Sequence, residues 1–209
     1  MPSFRFEKRL RREGALHIAG LDEVGRGALF GPVVAAAVVL PAAWLDGRPP
    51  DWVRKVDDSK RLSPTKKVEL AVRLLREAEA VGVGTASSAE IDALNIFRAS
   101  QLAMRRAVDG LSVSPDALLV DGLPLKDVKY RQMGIPQGDG KCRSIAAASI
   151  IAKVFRDGLM DRFDAVYEGY GLARNKGYGT AEHRRSLRER GPTSLHRMSF
   201  TLGERRERS

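Results

Sequence analysis

Four carboxylates are the residues of this chain best suited to do chemistry. Asp22 and Glu23 adjoin each other in Gly20–Pro32, GLDEVGRGALFGP, just after the apolar run Leu16-His17-Ile18-Ala19. Asp121 closes ALLVD ahead of Gly122, and Asp139 lies between glycines in GIPQGDGKCRS. Singly, each has a bland explanation: a strand end entering a polar turn, a turn aspartate, an aspartate on the approach to a helix. Together at strand ends they repel one another, and a divalent cation resolves that repulsion. All-oxygen ligands suit Mg²⁺ or Mn²⁺. Two such ions ~4 Å apart can activate a water and stabilise a leaving 3′ oxygen in an in-line phosphoryl displacement. Asp22, Glu23, Asp121 and Asp139 are therefore the expected catalytic and metal-binding residues, with two ions per site.

The elements that must position them follow from pattern. Phe4–Glu13 reads as a short basic helix. Ala15–Glu23 reads as a first strand, and successive strand residues face opposite ways, so Asp22 and Glu23 point to different sides. Pro32–Pro41, PVVAAAVVLP, is wholly apolar, as a central strand buried on both faces would be. Ala42–Val56 is expected to be a loop. Ser63 before Pro64 is a helix start, and the helix runs over Pro64–Ala80. Ala80–Ala86 alternates as a third strand. Ser87 or Ser88 caps a helical region over Ala89–Gly110, interrupted near Leu94-Asn95. Ala117–Val120 is a fourth strand and Val128–Ile135 a fifth, and a long helix over Cys142–Phe163 begins with small apolar residues that allow close packing. A last helix spans Ala181–Arg190. The expected fold class is α/β: a five-stranded mixed sheet flanked by helices, with a helical C-terminal extension from about residue 165, all within one domain over 1–209.

Bulk properties narrow the partner. The 209 residues carry a formal net charge of +10, with a pI near 10.1, which favours a polyanion, nucleic acid first. No apolar run approaches the ~20 residues of a membrane span. The charged start MPSFRFEKRLRREG lacks a secretory core, and one cysteine, Cys142, excludes an internal disulfide and a Cys-based zinc site. A cytoplasmic location is expected. Three histidines, His17, His183 and His196, argue against a His-based zinc site. Arg184, Arg185, Arg188 and Arg190 form a basic face that can track a duplex or simply stay solvated. The basic ends RLRR and ERRERS are expected to be mobile. Asp157 is expected to pair with a neighbouring cation. Lys153 could reach the acids or lie on a helix face.

The ordered set GLDEVGRG, DDSKRLS, LLVDG, GDGKCRSIAAASIIAKVFRD, NKGYGT and HRMSF resembles the ribonuclease HII family almost end to end. The resemblance implies an RNase H-like fold. It implies endonucleolytic cleavage of the RNA strand of RNA–DNA hybrids, and at single ribonucleotides in duplex DNA, leaving 3′-hydroxyl and 5′-phosphate ends. Those duplexes are the implied partners, and the enzyme is expected to be a monomer. It implies metal binding by Asp22, Glu23, Asp121 and Asp139. Gly25, Arg26 and Gly27 match the segment that reads the ribonucleotide 2′-OH and the junction phosphate. Tyr178 matches the tyrosine packed on the sugar at the RNA–DNA junction.

The residues are compatible with those roles. Glycines beside Arg26 let main-chain groups approach a 2′-OH, which both donates and accepts. Arg26 can fork onto a phosphate. Tyr178 has room to stack, or else plugs a core edge. Ser59 and Lys60 contact phosphate in one reading and form a capping turn in the other. Phe155 departs from the family pattern, which suggests a smaller polar residue there, and the Trp44–Trp52 loop is longer than expected. Two rivals remain open: a non-catalytic nucleic-acid-binding module, and a related nuclease acting on DNA junctions.

Overall fold

The computed structural model describes residues 1–202. The ERRERS tail lies outside the described residues. Among those described, five strands and eight helices follow in order: α1 (Arg5–Arg12), β1 (Ile18–Val24), β2 (Val33–Val39), α2 (Ala42–Asp46), α3 (Pro64–Glu77), β3 (Ala80–Ala86), α4 (Ser88–Leu94), α5 (Ile96–Asp109), β4 (Ala117–Asp121), β5 (Arg131–Ile135), α6 (Arg143–Val166), α7 (Leu172–Asn175) and α8 (Ala181–Arg190). The sheet order is β3-β2-β1-β4-β5. β2 pairs antiparallel with β1 and β3, while β4 runs parallel to β1 and β5.

Each face of the sheet is covered. Val34, Ala36, Val38 and Leu119 pack with Ile145, Ala148 and Ala152 of α6 and with Leu70 and Leu74 of α3. Val33, Ala35, Ala37 and Leu118 pack with Ala99, Ala103 and Ala107 of α5. β2 therefore needs apolar side chains at every position, and all seven of its residues are buried. α6 lies very close to β1: a Cβ on Gly20 would fall 2.2 Å from the Ser144 carbonyl carbon. The small residues at the start of α6 serve this approach. A third cluster, with Phe30, Met160, Tyr170, Leu172 and Leu187, seats the C-terminal helices beside the turn after β1.

Local signals explain the boundaries. Ser63 accepts from Lys66 N–H at the start of α3, with Pro64 in its first turn. Ser87 and Glu90 form a reciprocal capping box on α4. Asn95, with φ +71°, separates α4 from α5 and caps the latter.

Three expectations need correction. Ala42–Val56 is not an irregular loop: it holds α2 and a 3₁₀ turn, Asp51–Lys55. Trp44 and Trp52 fold it inward, each 8% exposed, with edge-to-face rings 5.6 Å apart. The RLRR segment is not loose. It belongs to α1, where Leu10 is buried and Arg11 reaches Asp46 at 3.0 Å. The fifth strand is shorter than expected, because residues 128–130 lie outside the ladder with β4.

Candidate active site

The register of the parallel strands brings distant acids together. β1 and β4 pair through Leu21 and Val120, so Asp22 and Asp121 come one residue later on adjacent strands. Both extend the side of the sheet that carries α6. Glu23 points to the α5 side, as strand alternation requires. At the strand ends all three line one cleft of about 230 Å³, together with Ser59, Lys60, Lys67, Ser149, Lys153 and Tyr178. Glu23 and Asp121 also line a second cleft on the α5 side with Arg26 and Gln101.

Asp139 sits in a 3₁₀ turn, Gly138–Gly140, just before α6. The Gly138 N–H donates to Asp121 Oδ1 at 2.6 Å, tying this turn to the end of β4. Asp139 lines the adjoining cleft with Asp58, Arg61 and Lys141. Lys60 joins the two clefts by donating from Nζ to Asp139 Oδ2 at 2.9 Å.

The electrostatics are those of crowded acids. Burial pushes the Asp22 carboxyl well above the usual carboxylate range, and the charges of Glu23, Asp121 and Asp139 push it further. Burial also raises Glu23, against the opposing pull of Arg26, and raises Asp121 against the Gly138 N–H. The hydrogen bond to Asp139 raises Lys60. Arg26 donates to Glu23 Oε1 at 2.9 Å, while the buried Glu23 Oε2 has no partner among the described residues. Among those residues, no three acidic, His or Cys side chains form a ready-made coordination shell. Lys60, Arg26 and backbone N–H groups meet part of the charge. An orphaned carboxylate oxygen beside mutually repelling carboxylates is the donor set a hard divalent cation fits.

The glycine-flanked arginine lies beside this cleft. Gly25, with φ +90°, turns the chain, and Ala28 bridges to Tyr178. Leu29 N–H donates to the Gly177 carbonyl at 2.8 Å, so Gly25-Arg26-Gly27 and Tyr178 form one wall. Ser59 is buried, its hydroxyl 2.9 Å from that of Ser149. Asp58 caps the Lys60 N–H, so the capping turn is present and Lys60 still reaches the acids. Lys153 pairs with Asp157 at 2.7 Å and also lines the cleft.

Two groups behind that wall were not legible as site residues. Arg156 and Arg197 are both 0% exposed. Arg156 donates to the carbonyls of Pro32, Lys176 and Phe30 at 3.1, 2.8 and 3.1 Å, and its guanidinium carbon lies 5.5 Å from the Tyr178 ring centre. Arg197 donates to Gly31 O and Arg26 O, both at 2.9 Å. Burial, then the nearby Arg156 charge, lowers Arg197 to about 9. Arg184 turns inward to the Gly179 and Thr201 carbonyls, leaving Arg185, Arg188 and Arg190 exposed on α8.

The family model described as Ribonuclease HII matches residues 19–202. The chain belongs to the ribonuclease HII family. It is an enzyme of the ribonuclease H class. A Moorella thermoacetica protein named Ribonuclease HII is 50% identical over 197 residues, covering 94% of this chain and 92% of the relative. Among solved structures, the PCNA:RNase HII complex from Archaeoglobus fulgidus matches with TM-score 0.73 and 28% identity, over 91% of this chain and 98% of that one. Bst-RNase HIII in complex with Mn²⁺ matches with TM-score 0.64 and 22% identity, over 92% and 69% of the two chains. The five-stranded mixed sheet flanked by helices is thus an RNase H-like fold. Among the described residues no helix is long and apolar enough to cross a membrane.

Proposed function

We propose that this chain is a divalent-cation-dependent endoribonuclease that hydrolyses the RNA strand of RNA–DNA hybrids and cuts at single ribonucleotides embedded in duplex DNA. One observation carries the reading. Asp22, Glu23 and Asp121 meet at the ends of parallel strands in a cleft that also holds Tyr178. Asp22, Glu23, Asp121 and Asp139 would hold two Mg²⁺ or Mn²⁺ ions. Such ions supply Lewis-acid stabilisation and a nucleophilic water at neutral pH. The Mn²⁺-bound RNase HIII of the same fold supports the cation class.

The chain's own groups place the substrate. Main-chain groups of Gly25-Arg26-Gly27 meet the ribonucleotide 2′-OH, Arg26 the junction phosphate, and Tyr178 the adjoining sugar. Ser59 and Lys60 line the phosphate path. Exposed arginines of α8 follow the duplex backbone. One domain, acting as a monomer, suffices.

The deciding assay incubates the protein with three duplexes: an RNA–DNA hybrid, a DNA duplex with one ribonucleotide, and its all-deoxy twin. Cleavage of the first two in Mg²⁺ or Mn²⁺, with 3′-hydroxyl and 5′-phosphate ends, is expected. Equal cutting of the all-deoxy twin, or cutting that persists in EDTA, would refute the proposal.

The raised carboxyls also predict a pH-dependent effect of the cation on stability. Where the folded pKa exceeds the unfolded one, the folded state holds extra protons, and stability falls as pH rises from the ordinary carboxylate range through the raised values. Without a divalent ion, the repulsion among Asp22, Glu23 and Asp121 is therefore greatest at neutral and alkaline pH. Saturating Mn²⁺ should raise Tm by about 5–10 °C at about pH 8 if present at ~100 Kd, and by much less near about pH 5, where protons compete. A Tm gain equal at both pH values would contradict the assignment.

A further inference from the structure

Two imidazoles lie buried behind the Tyr178 wall, and their contacts fix where the protons sit. His183 is on α8; His196 belongs to the returning segment that bridges to Phe30. Both rings are buried, and their Nε2 atoms are 3.2 Å apart. The Thr193 N–H donates to His196 Nδ1 at 2.9 Å. A backbone N–H cannot accept, so Nδ1 is bare and the neutral His196 ring carries its proton on Nε2. That proton is donated to His183 Nε2. His183 must then be protonated on Nδ1, which lies 2.9 Å from the Tyr178 carbonyl, a group that can only accept. The backbone groups at the two ends dictate the same pair of tautomers.

The surroundings keep both rings neutral. Burial lowers His183; burial and the neighbouring His183 bring His196 to about 4. The Phe30 and Tyr170 rings lie 4.9 and 5.0 Å from His196, and Glu182 and Arg184 flank His183 on its own helix. The Tyr178 N–H donates to the Asn175 carbonyl at 2.9 Å, and the Tyr178 carbonyl accepts from the Thr180 N–H at 2.8 Å. His183 is thus the second donor on that carbonyl and, among the described residues, the one side chain that ties this backbone to His196. Tyr178 follows two left-handed residues, Lys176 and Gly177, at φ +50° and +79°, and only Gly179 separates it from the first residue of the α8 cap, Thr180.

We propose that His183 and His196 are positioning residues for substrate choice, a two-imidazole relay that runs from Thr193 to the Tyr178 carbonyl and so sets the Tyr178 ring. The inference rests on the reading of Tyr178 as the residue that meets the junction sugar.

The test compares wild type with Tyr178→Ala, His183→Gln and His183→Asn. For each, kcat/KM is measured on the single-ribonucleotide duplex and on the all-RNA hybrid, with thermal unfolding as the check of fold. A Gln amide at 183 reaches toward His196 and loses the Tyr178 carbonyl; an Asn amide keeps the carbonyl and loses His196. His183→Gln should lower the single-ribonucleotide-to-hybrid ratio about tenfold, the scale of one lost buried hydrogen bond, and His183→Asn should restore most of it. In wild type at about pH 8, ¹⁵N spectra of the imidazoles should show His183 protonated on Nδ1 and His196 on Nε2. Opposite tautomers would overturn the relay, as would an equal fall in ratio for both His183 variants, which marks a packing role. A shift with Tyr178→Ala but not with a folded His183→Gln overturns the relay alone. An unchanged ratio in Tyr178→Ala overturns the reading of Tyr178 instead, and the relay with it. If His183→Gln does not fold, the Asn variant and the spectra decide.

Discussion

Asp121→Asn is expected to abolish cleavage while making the cation-free protein no less stable. The carboxylate extends from the end of β4 into the acidic cleft, where burial and the charge of Asp139 raise its pKa. An asparagine keeps the Oδ1 acceptor for the Gly138 N–H, now 2.6 Å away, so the turn that holds Asp139 stays in place. What is lost is one negative charge from the proposed ion-binding set. A metal contributes several kcal/mol of charge stabilisation in such reactions, so a fall in kcat of ~10³-fold or more is expected. Removing one of the repelling charges should leave Tm in EDTA equal or higher. Duplex binding by gel shift should stay near wild type, since the basic residues are untouched. Normal cleavage by this variant in Mg²⁺ would show that Asp121 does not hold the cation.

Gly25→Ala should be nearly as damaging, by a different route. Gly25 has φ +90°, a conformation L-residues rarely adopt. Its missing Cβ leaves room for Arg156, whose Nε would lie 2.1 Å from that atom. Arg156 is fully buried and holds three backbone carbonyls, so it has nowhere to withdraw. An alanine would force either the turn or the guanidinium to move, leaving buried carbonyls unpaired at ~1–3 kcal/mol each. The expected loss of stability is about 3–5 kcal/mol, a Tm fall of roughly 10 °C or more for a chain of this size. Displacement of the turn by about 1 Å should cost a further ~10²-fold in cleavage at single ribonucleotides. Wild-type Tm and site choice in the Gly25→Ala variant would show that this close contact is not required.

Much of the fold could be read from pattern because each element answered to one local rule. The all-apolar β2 has two covered faces, and the capped starts of α3 and α4 carry Ser63 and Ser87. The acids were legible singly, because Asp22 and Asp121 each come at the end of an apolar strand; that they stand side by side depends on the parallel pairing of β1 with β4, strands far apart in the chain. Asp139 could not be placed by such a rule. Its position depends on the Gly138 contact to Asp121, a pairing over seventeen residues that leaves no periodic trace. The buried arginines were hidden for the same cause. Arg156 sits in a helix and reads as a surface cation, and its partners are carbonyls, which every residue has. Arg197 and the two histidines likewise find their partners only after the C-terminal segment folds back on the turn after β1. The Ala42–Val56 stretch misled in the opposite sense: its prolines and glycine suggested an open loop, while its two tryptophans bury one another.

Those tryptophans have a practical consequence. They are the chain's only two indoles, stacked edge to face, with the Trp52 Nε1–H on Glu77 and Arg73 over the ring. Neither lines the acidic cleft. Intrinsic fluorescence will thus come from one coupled pair of emitters on α2, the 3₁₀ turn and the flank of α3. It will report solvent entry as this flank melts, and it will stay silent when a ligand settles among the carboxylates.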